Sequence, residues 1–299
     1  MISPNNLSLL GVFAHPDDEG SCSGCLAKYA AEDGARAYVI CATRGDGVDA
    51  KISDPSLASR ETLAQVRSQE LECACKTLGI ELPIFLDYQD GEVDQVPLEE
   101  AARRLARLIR ELQPLVLITH DPGGGYGHPD HIAVSAFTTR AFDLASDPSV
   151  DLGVPFAPGK LYYTAMPRSF LEKVPAFRER RADIRGQQLG FVGVDDEQIT
   201  TQVEIRDWLR LKLDALSCHR TQFEFDPVTK QPKTFTASIP EEQRLQMFGH
   251  ERFVLAKASM AKASMAKASM AKASMAKANI ARAGAPPDGK EEDLFAGLR

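Results

Sequence analysis

No stretch of this 299-residue chain is long and apolar enough to span a bilayer, and the N-terminus has no basic n-region. The first apolar run, Leu7 to Ala14, is too short for a signal-peptide core and reads as a buried strand. Positive charge is also scarce. The formal net charge is -7, and residues 256–299 carry 8 Lys/Arg against 4 Asp/Glu, leaving 27 against 38 in residues 1–255. A globular part near -11 excludes nucleic acid as the main partner. Cysteine is limited to Cys22, Cys25, Cys41, Cys73, Cys75 and Cys218. Without a secretory signal, these are expected to be reduced thiols of a cytoplasmic protein. Cys22-Ser23-Gly24-Cys25 and Cys73-Ala74-Cys75 do not repeat the two-residue gap of a structural zinc site, so they are expected as small buried helix residues. A phosphate loop is missing too, because neither Gly123-Gly124-Gly125 nor Gly45-Asp46-Gly47 is followed by Gly-Lys-Ser/Thr.

What the chain does have is a βαβα rhythm. Leu7 to Ala14, Ala37 to Thr43, Pro83 to Tyr88, Leu115 to Thr119 and Leu161 to Ala165 read as strands. Between them Ser21 to Glu32, Ser59 to Leu78, Leu98 to Leu112 and Ile132 to Leu144 have helical spacing or composition. The pattern predicts an α/β, Rossmann-like, doubly wound and mostly parallel sheet with helices on both faces. In such a sheet ligands bind beyond the carboxyl ends of the strands, where strand order reverses. A helix over Ser169 to Arg180 and another over Val203 to Cys218 are expected to extend the same domain, residues 151–255 supplying walls of the site. Residues 1–255 then form a single domain, and residues 256–299 a basic low-complexity tail. Its Ala-Lys-Ala-Ser-Met repeat advances about 140° per five residues around a helix, which forms no apolar stripe.

Two segments carry chemistry: Ala14-His15-Pro16-Asp17-Asp18-Glu19, and His128-Pro129-Asp130-His131. Each follows an expected strand and opens an expected helix. Catalytic zinc usually takes three protein ligands and leaves a fourth position for water. His15, Asp18 and His131 satisfy that count. Asp17 and Asp18 are neighbours in a tight turn, so one is expected to ligate while the other stays beside the water. An imidazole alone is more often a hydrogen-bonded core or loop residue; two His-Pro-Asp segments at equivalent strand ends point instead to a metal site. The native ion is left open among Zn²⁺, Fe²⁺ and Co²⁺.

These segments, with Gly124-Gly125-Tyr126-Gly127 before the second, resemble the LmbE-like, PIG-L family of zinc-dependent N-acetylglucosaminyl de-N-acetylases. The Tyr-Gly-His-Pro-Asp-His form is especially similar to the branch serving mycothiol biosynthesis. Weaker agreement runs through Thr43 to Asp46, Arg67 to Glu70, Leu78-Gly79, Lys212 to Leu216 and His219 to Gln222, and the repeat lies outside it. The resemblance implies His15, Asp18 and His131 as zinc ligands and Asp17 as general base. It implies His128, aided by Asp130, as the group that stabilises or protonates the tetrahedral intermediate, and Tyr126 as a donor to the oxyanion. Arg67 has family support as a substrate-binding residue, against an ion pair with Glu70 as the plain alternative; Arg44 has none. Glu19 is expected to bond a ligand or cap a helix, His120 to sit in a loop, with a place lining the site as the alternative, and His219 to play a supporting role. His250 carries no signal. The expected function is removal of the N-acetyl group from a small-molecule N-acetylglucosamine-type conjugate. Two alternatives stay open: an amidase for a larger acyl group on a thiol-conjugated glucosaminide, and a metal-containing sugar-binding protein without turnover. Homo-oligomer formation is also left open.

Overall fold

The computed structural model of the chain describes residues 7–223, 241–259 and 289–299. Five strands, β1 (Ser8–Phe13), β2 (Arg36–Cys41), β3 (Ile84–Phe85), β4 (Val116–Thr119) and β5 (Lys160–Thr164), pair in parallel. Side chains alternate between the two faces, so every residue of β1 is buried: Leu9 and Phe13 enter one apolar layer, Leu10 and Val12 the other. The first layer is closed by α1 (Ser23–Asp33) and α2 (Leu63–Leu78) through Leu26, Tyr29, Leu71 and Cys75. The second is closed by α3 (Leu98–Leu112) and, after the single distorted turn α4 (Gly124–Gly127), by α5 (Pro129–Ser146). On α3 the buried Ala101, Ala102, Leu105, Ala106 and Ile109 repeat at helical spacing, which turns one face of it onto the sheet. Among the described residues no helix is long and apolar enough to cross a membrane.

Beyond β5 the chain departs from expectation. The helix expected over Ser169 to Arg180 is two short ones, α6 (Arg168–Lys173) and α7 (Pro175–Arg178), because Pro175 cannot continue a helix and instead starts the next. A small hairpin, β6 (Ala182–Ile184) with β7 (Gln187–Leu189), comes next. The helix expected from Val203 begins later: Val203 lies in β8 (Thr201–Glu204), a 3₁₀ turn covers Arg206–Trp208, and only α8 (Leu209–Leu216) is α-helical. After α9 (Glu241–Phe248), β9 (His250–Ala258) inserts antiparallel between β5 and β8. The sheet order is β3-β2-β1-β4-β5-β9-β8, so strand order reverses between β1 and β4.

Two expectations need correcting. The domain does not end at residue 255: β9 runs to Ala258, and Leu294, Phe295 and Leu298 are buried in the first apolar layer. Tyr29 holds that last segment: its ring lies edge-on to Phe295, and its hydroxyl donates to Asp293 and accepts from the Leu294 amide. Glu291 pairs with buried Lys160 at 3.0 Å. Most of the repeat, residues 260–288, lies outside the described residues. The cysteines also differ. Cys73 is joined to Cys218 by a disulfide, while Cys22, Cys25, Cys41 and Cys75 are free and buried. Two residues advance about 200° around a helix, so Cys73 and Cys75 leave α2 on opposite sides, Cys75 into the core and Cys73 outward to the segment after α8.

Candidate active site

Phe13 ends β1, and the chain turns at once into a 3₁₀ helix, Asp18–Ser21. The His15 amide donates to Asp18 Oδ2 at 2.8 Å, which folds the Asp18 carboxylate back toward the His15 ring. From the other side of the strand-order reversal, α5 begins with Pro129, and His128 caps it by accepting from the Asp130 amide at 3.2 Å. One turn in, His131 points at the same spot. His15 Nδ1 and His131 Nε2 are 3.2 Å apart, and Asp18 Oδ2 is 3.4 Å from each. Ligands about 2.0 to 2.1 Å from a tetrahedral zinc lie about 3.3 to 3.4 Å from one another. Three donors held at that spacing, two imidazoles and a carboxylate, fit a divalent cation. Burial holds His131 well below the usual imidazole value, so its lone pair is free to ligate.

His15, His128 and Asp130 form a second convergent group, but the Asp130 carboxylate already accepts from the Gly91 and Val93 amides, at 2.8 and 3.2 Å. Asp130 therefore stands behind the first group. Its Oδ2 lies 3.3 Å from His15 Nε2, and Asp90 Oδ1 lies 2.9 Å from the same nitrogen. These contacts assign the Nε2 proton of His15 and direct its Nδ1 to the donor cluster. Burial alone would raise the Asp90 carboxyl; the bond to His15 outweighs it and holds it at about 2.

Asp17 is left out of the donor cluster. Its carboxylate keeps 24% of its exposure and lies 3.5 Å from the Arg67 guanidinium. Burial pushes this carboxyl up to about 6, against the lowering pull of Arg67. Its backbone is unusual: φ is 116°, in the left-handed range that favours glycine, a conformation costing about 1 to 3 kcal/mol. Arg67, expected as a substrate-binding residue, stands beside Asp17 and is held by main-chain carbonyls. It is 4% exposed, and it donates to Gly45 O at 2.7 Å and to Pro16 O at 2.5 Å, packing where a side chain at Gly45 would stand. It does not pair with Glu70, which accepts from Thr221 instead. Arg44 bonds Asp87 and Ser68 and lies over the Phe85 ring.

Tyr126 rides on the distorted turn, where Gly125 adopts φ 73° and the Asp121 carboxylate accepts from the Gly123 and Gly125 amides. Its ring stands edge-on to His128 and His131, with centroids 5.7 and 5.3 Å away, and Phe191 backs it at 5.4 Å. Burial and then the Asp18 charge hold the phenol well above its ordinary value, so it stays a donor. His128 lies beside His15, ring centroids 4.8 Å apart; burial pushes it down to about 4, so it rests as a neutral imidazole.

The family model described as GlcNAc-PI de-N-acetylase, PIG-L, matches residues 10–142. A deacetylase from Thermomonospora curvata, named for 1D-myo-inositol 2-acetamido-2-deoxy-alpha-D-glucopyranoside, is 38% identical over 245 residues, covering 74% of this chain and 82% of its own. The protein of that name from Rhodococcus erythropolis is 32% identical over 314 residues, covering 97% of each. This chain belongs to the PIG-L family. The fold agrees: the N,N'-diacetylchitobiose deacetylase of Pyrococcus horikoshii superposes with a TM-score of 0.59 at 22% identity, covering 83% of each chain.

In this PIG-L chain several site residues escape a reading of the sequence alone. His120, in the loop directly after β4, is buried, accepts from the Ala14 amide at 3.2 Å, stacks on His131 at 3.9 Å and lies 3.4 Å from Asp18 Oδ2. Asp90 has no motif around it, and its one signal is a carboxylate in the loop after a parallel strand. Glu19 and His219 form a buried pair at 2.6 Å, and Glu19 also accepts from the Asp17 amide at 2.9 Å. His250 starts β9 opposite Glu204.

Proposed function

We propose that this PIG-L chain hydrolyses the acetamide of an N-acetylglucosamine-type conjugate, with the sugar carried on an inositol as in its named relatives, releasing acetate and the free amino sugar. The observation that supports this most is the convergence of His15 Nδ1, Asp18 Oδ2 and His131 Nε2 at tetrahedral spacing, beside a second carboxylate, Asp17, that is not part of the donor set. The N₂O set suits Zn²⁺, with Fe²⁺ and Co²⁺ as competitors. A bound cation supplies a more acidic water and a polarised acetyl carbonyl. Asp17 accepts the proton of the attacking water and returns one to the departing amine as the C–N bond breaks. Tyr126 donates its hydroxyl to the developing oxyanion, and the neutral His128 beside it, its Nδ1 accepting from the Asp130 amide, keeps its Nε2–H as a second donor. Asp130 and Asp90 keep His15 in register rather than acting on substrate.

The test is to load the protein with Zn²⁺ and offer it a panel of N-acylglucosaminides, including the inositol conjugate, while following release of primary amine and acetate. Amine release that is fastest with the acetylated inositol conjugate is expected. Silence across the panel with one metal per chain would overturn the reading.

A further inference from the structure

Pro16 O and Asp17 N–H are the two ends of one peptide unit, and each is held by a buried charged side chain. Arg67, 4% exposed, donates to the oxygen at 2.5 Å, and Glu19, 2% exposed, accepts from the N–H at 2.9 Å. Behind Glu19 stands His219, fully buried, 2.6 Å from the other carboxylate oxygen. The held peptide precedes the one non-glycine residue of the site at strained positive φ, Asp17 at 116°. Turning that peptide over by half a revolution would carry φ to about -64°, an ordinary value for any residue. It would also point a carbonyl at the Glu19 carboxylate and an N–H at the guanidinium, so both buried charges oppose the turn.

We propose that Arg67 and Glu19, the latter fixed by His219, form a clamp on the Pro16–Asp17 peptide whose purpose is to hold Asp17 in its strained conformation and so aim its carboxylate. Arg67, Glu19 and His219 are thus positioning residues for the base. The inference rests on the proposed role of Asp17 for its kinetic consequence, but not for its structural one. Glu19 is tied to His219 and the Asp17 amide, and Arg67 to the Pro16 and Gly45 carbonyls, so one arm comes from α2 and the other from the 3₁₀ helix after β1, fixed by the segment after α8.

The test uses the full chain with Zn²⁺ bound and the variants Glu19→Gln, Glu19→Ala, Arg67→Lys and Arg67→Met. Crystal structures of the Ala and Met variants are expected to show the Pro16–Asp17 peptide turned over, with φ of Asp17 negative. Turnover is expected to fall about 100-fold, the effect of misplacing a reacting group by about 1 Å, while KM stays within about threefold and metal content remains one per chain. Gln and Lys, which keep one hydrogen bond each, should recover part of the loss. In an Asp17→Asn background Glu19→Ala should cost nothing further. A positive φ retained at Asp17 in both the Ala and Met variants overturns the clamp, and so does a Glu19→Ala loss that adds in full to that of Asp17→Asn. If no substrate is hydrolysed at all, the deacetylase reading fails while the crystal structures still decide the clamp.

Discussion

The parallel half of the molecule, β1 to β5 with α1 to α5, and the antiparallel part that follows divide the work unequally. Every residue of the donor cluster, together with Asp17, Tyr126, His128, Asp90 and His120, comes from the segments that directly follow β1, β3 and β4. The later part adds backing: His219 behind Glu19, Glu251 accepting from the Gly24 and Cys25 amides and from Lys212, and Leu294 and Phe295 beneath Tyr29. The contrast follows from geometry. In a parallel sheet all loops at one edge open on the same side, so a reversal of strand order gathers them into a crevice. Antiparallel strands send alternate loops to opposite edges, and what they add at the far edge of the sheet is packing.

The sharpest division to test is metal binding. Replacing His15 and His131 together by alanine removes two of three donors, and metal content by emission spectrometry should fall to background with amine release below detection. One metal per chain in that variant would mean the cation lies elsewhere. Next in size is Asp17→Asn. Metal should stay at one per chain while turnover falls about 10² to 10⁴-fold, the usual worth of a general base. Near-normal turnover with full metal would remove Asp17 from the chemistry.

How far the sequence speaks also divides at β5. The first five strands and α3 lie within a few residues of where the apolar periodicity puts them, because both faces of the sheet are covered and the code is redundant. β8 shows the limit: Thr201 and Val203 are buried, with Gln202 and Glu204 more open, a two-residue period too short to separate from the helical pattern of Leu209–Leu216 just after it. Phe295 and Leu298 follow a low-complexity repeat that hides their membership in the core. Within the site, the paired motifs place His15, Asp18 and His131 together, yet adjacency misleads at Asp130. It sits two residues after His128, but a helix turns about 100° per residue, so its carboxylate meets His15 instead. Arg67, Asp90 and His120 have partners far away in sequence, mostly main-chain groups, and no spacing rule foretells such bonds. The Cys73–Cys218 link, 145 residues apart, is of the same kind.

If the later part is backing, it should be separable from turnover. Phe295→Ala removes a fully buried ring from the first apolar layer, which typically costs about 3 to 5 kcal/mol. The melting temperature should drop markedly, while kcat/KM at a temperature where the variant is still folded stays within about threefold of the parent. A loss of kcat/KM comparable with that of Asp17→Asn would show that the last segment shapes the site directly.

The smallest expected effect is on pH dependence, and it concerns His219, where the later part stands behind Glu19. Burial by itself would lower His219, but the Glu19 charge at 2.6 Å outweighs it, so the imidazole is raised above its ordinary value. A group raised in the folded state binds its proton more tightly there than in the unfolded chain. Its contribution to stability is therefore complete below the unfolded value, near 6.5, and is lost as pH rises through the folded one. The melting temperature of the parent should exceed that of His219→Gln by most at mildly acidic pH, and the gap should narrow as the solution becomes alkaline. A gap that stays constant from pH 5.5 to 9 would mean that His219 holds Glu19 as a neutral hydrogen-bond donor throughout. The backing would then act through shape alone.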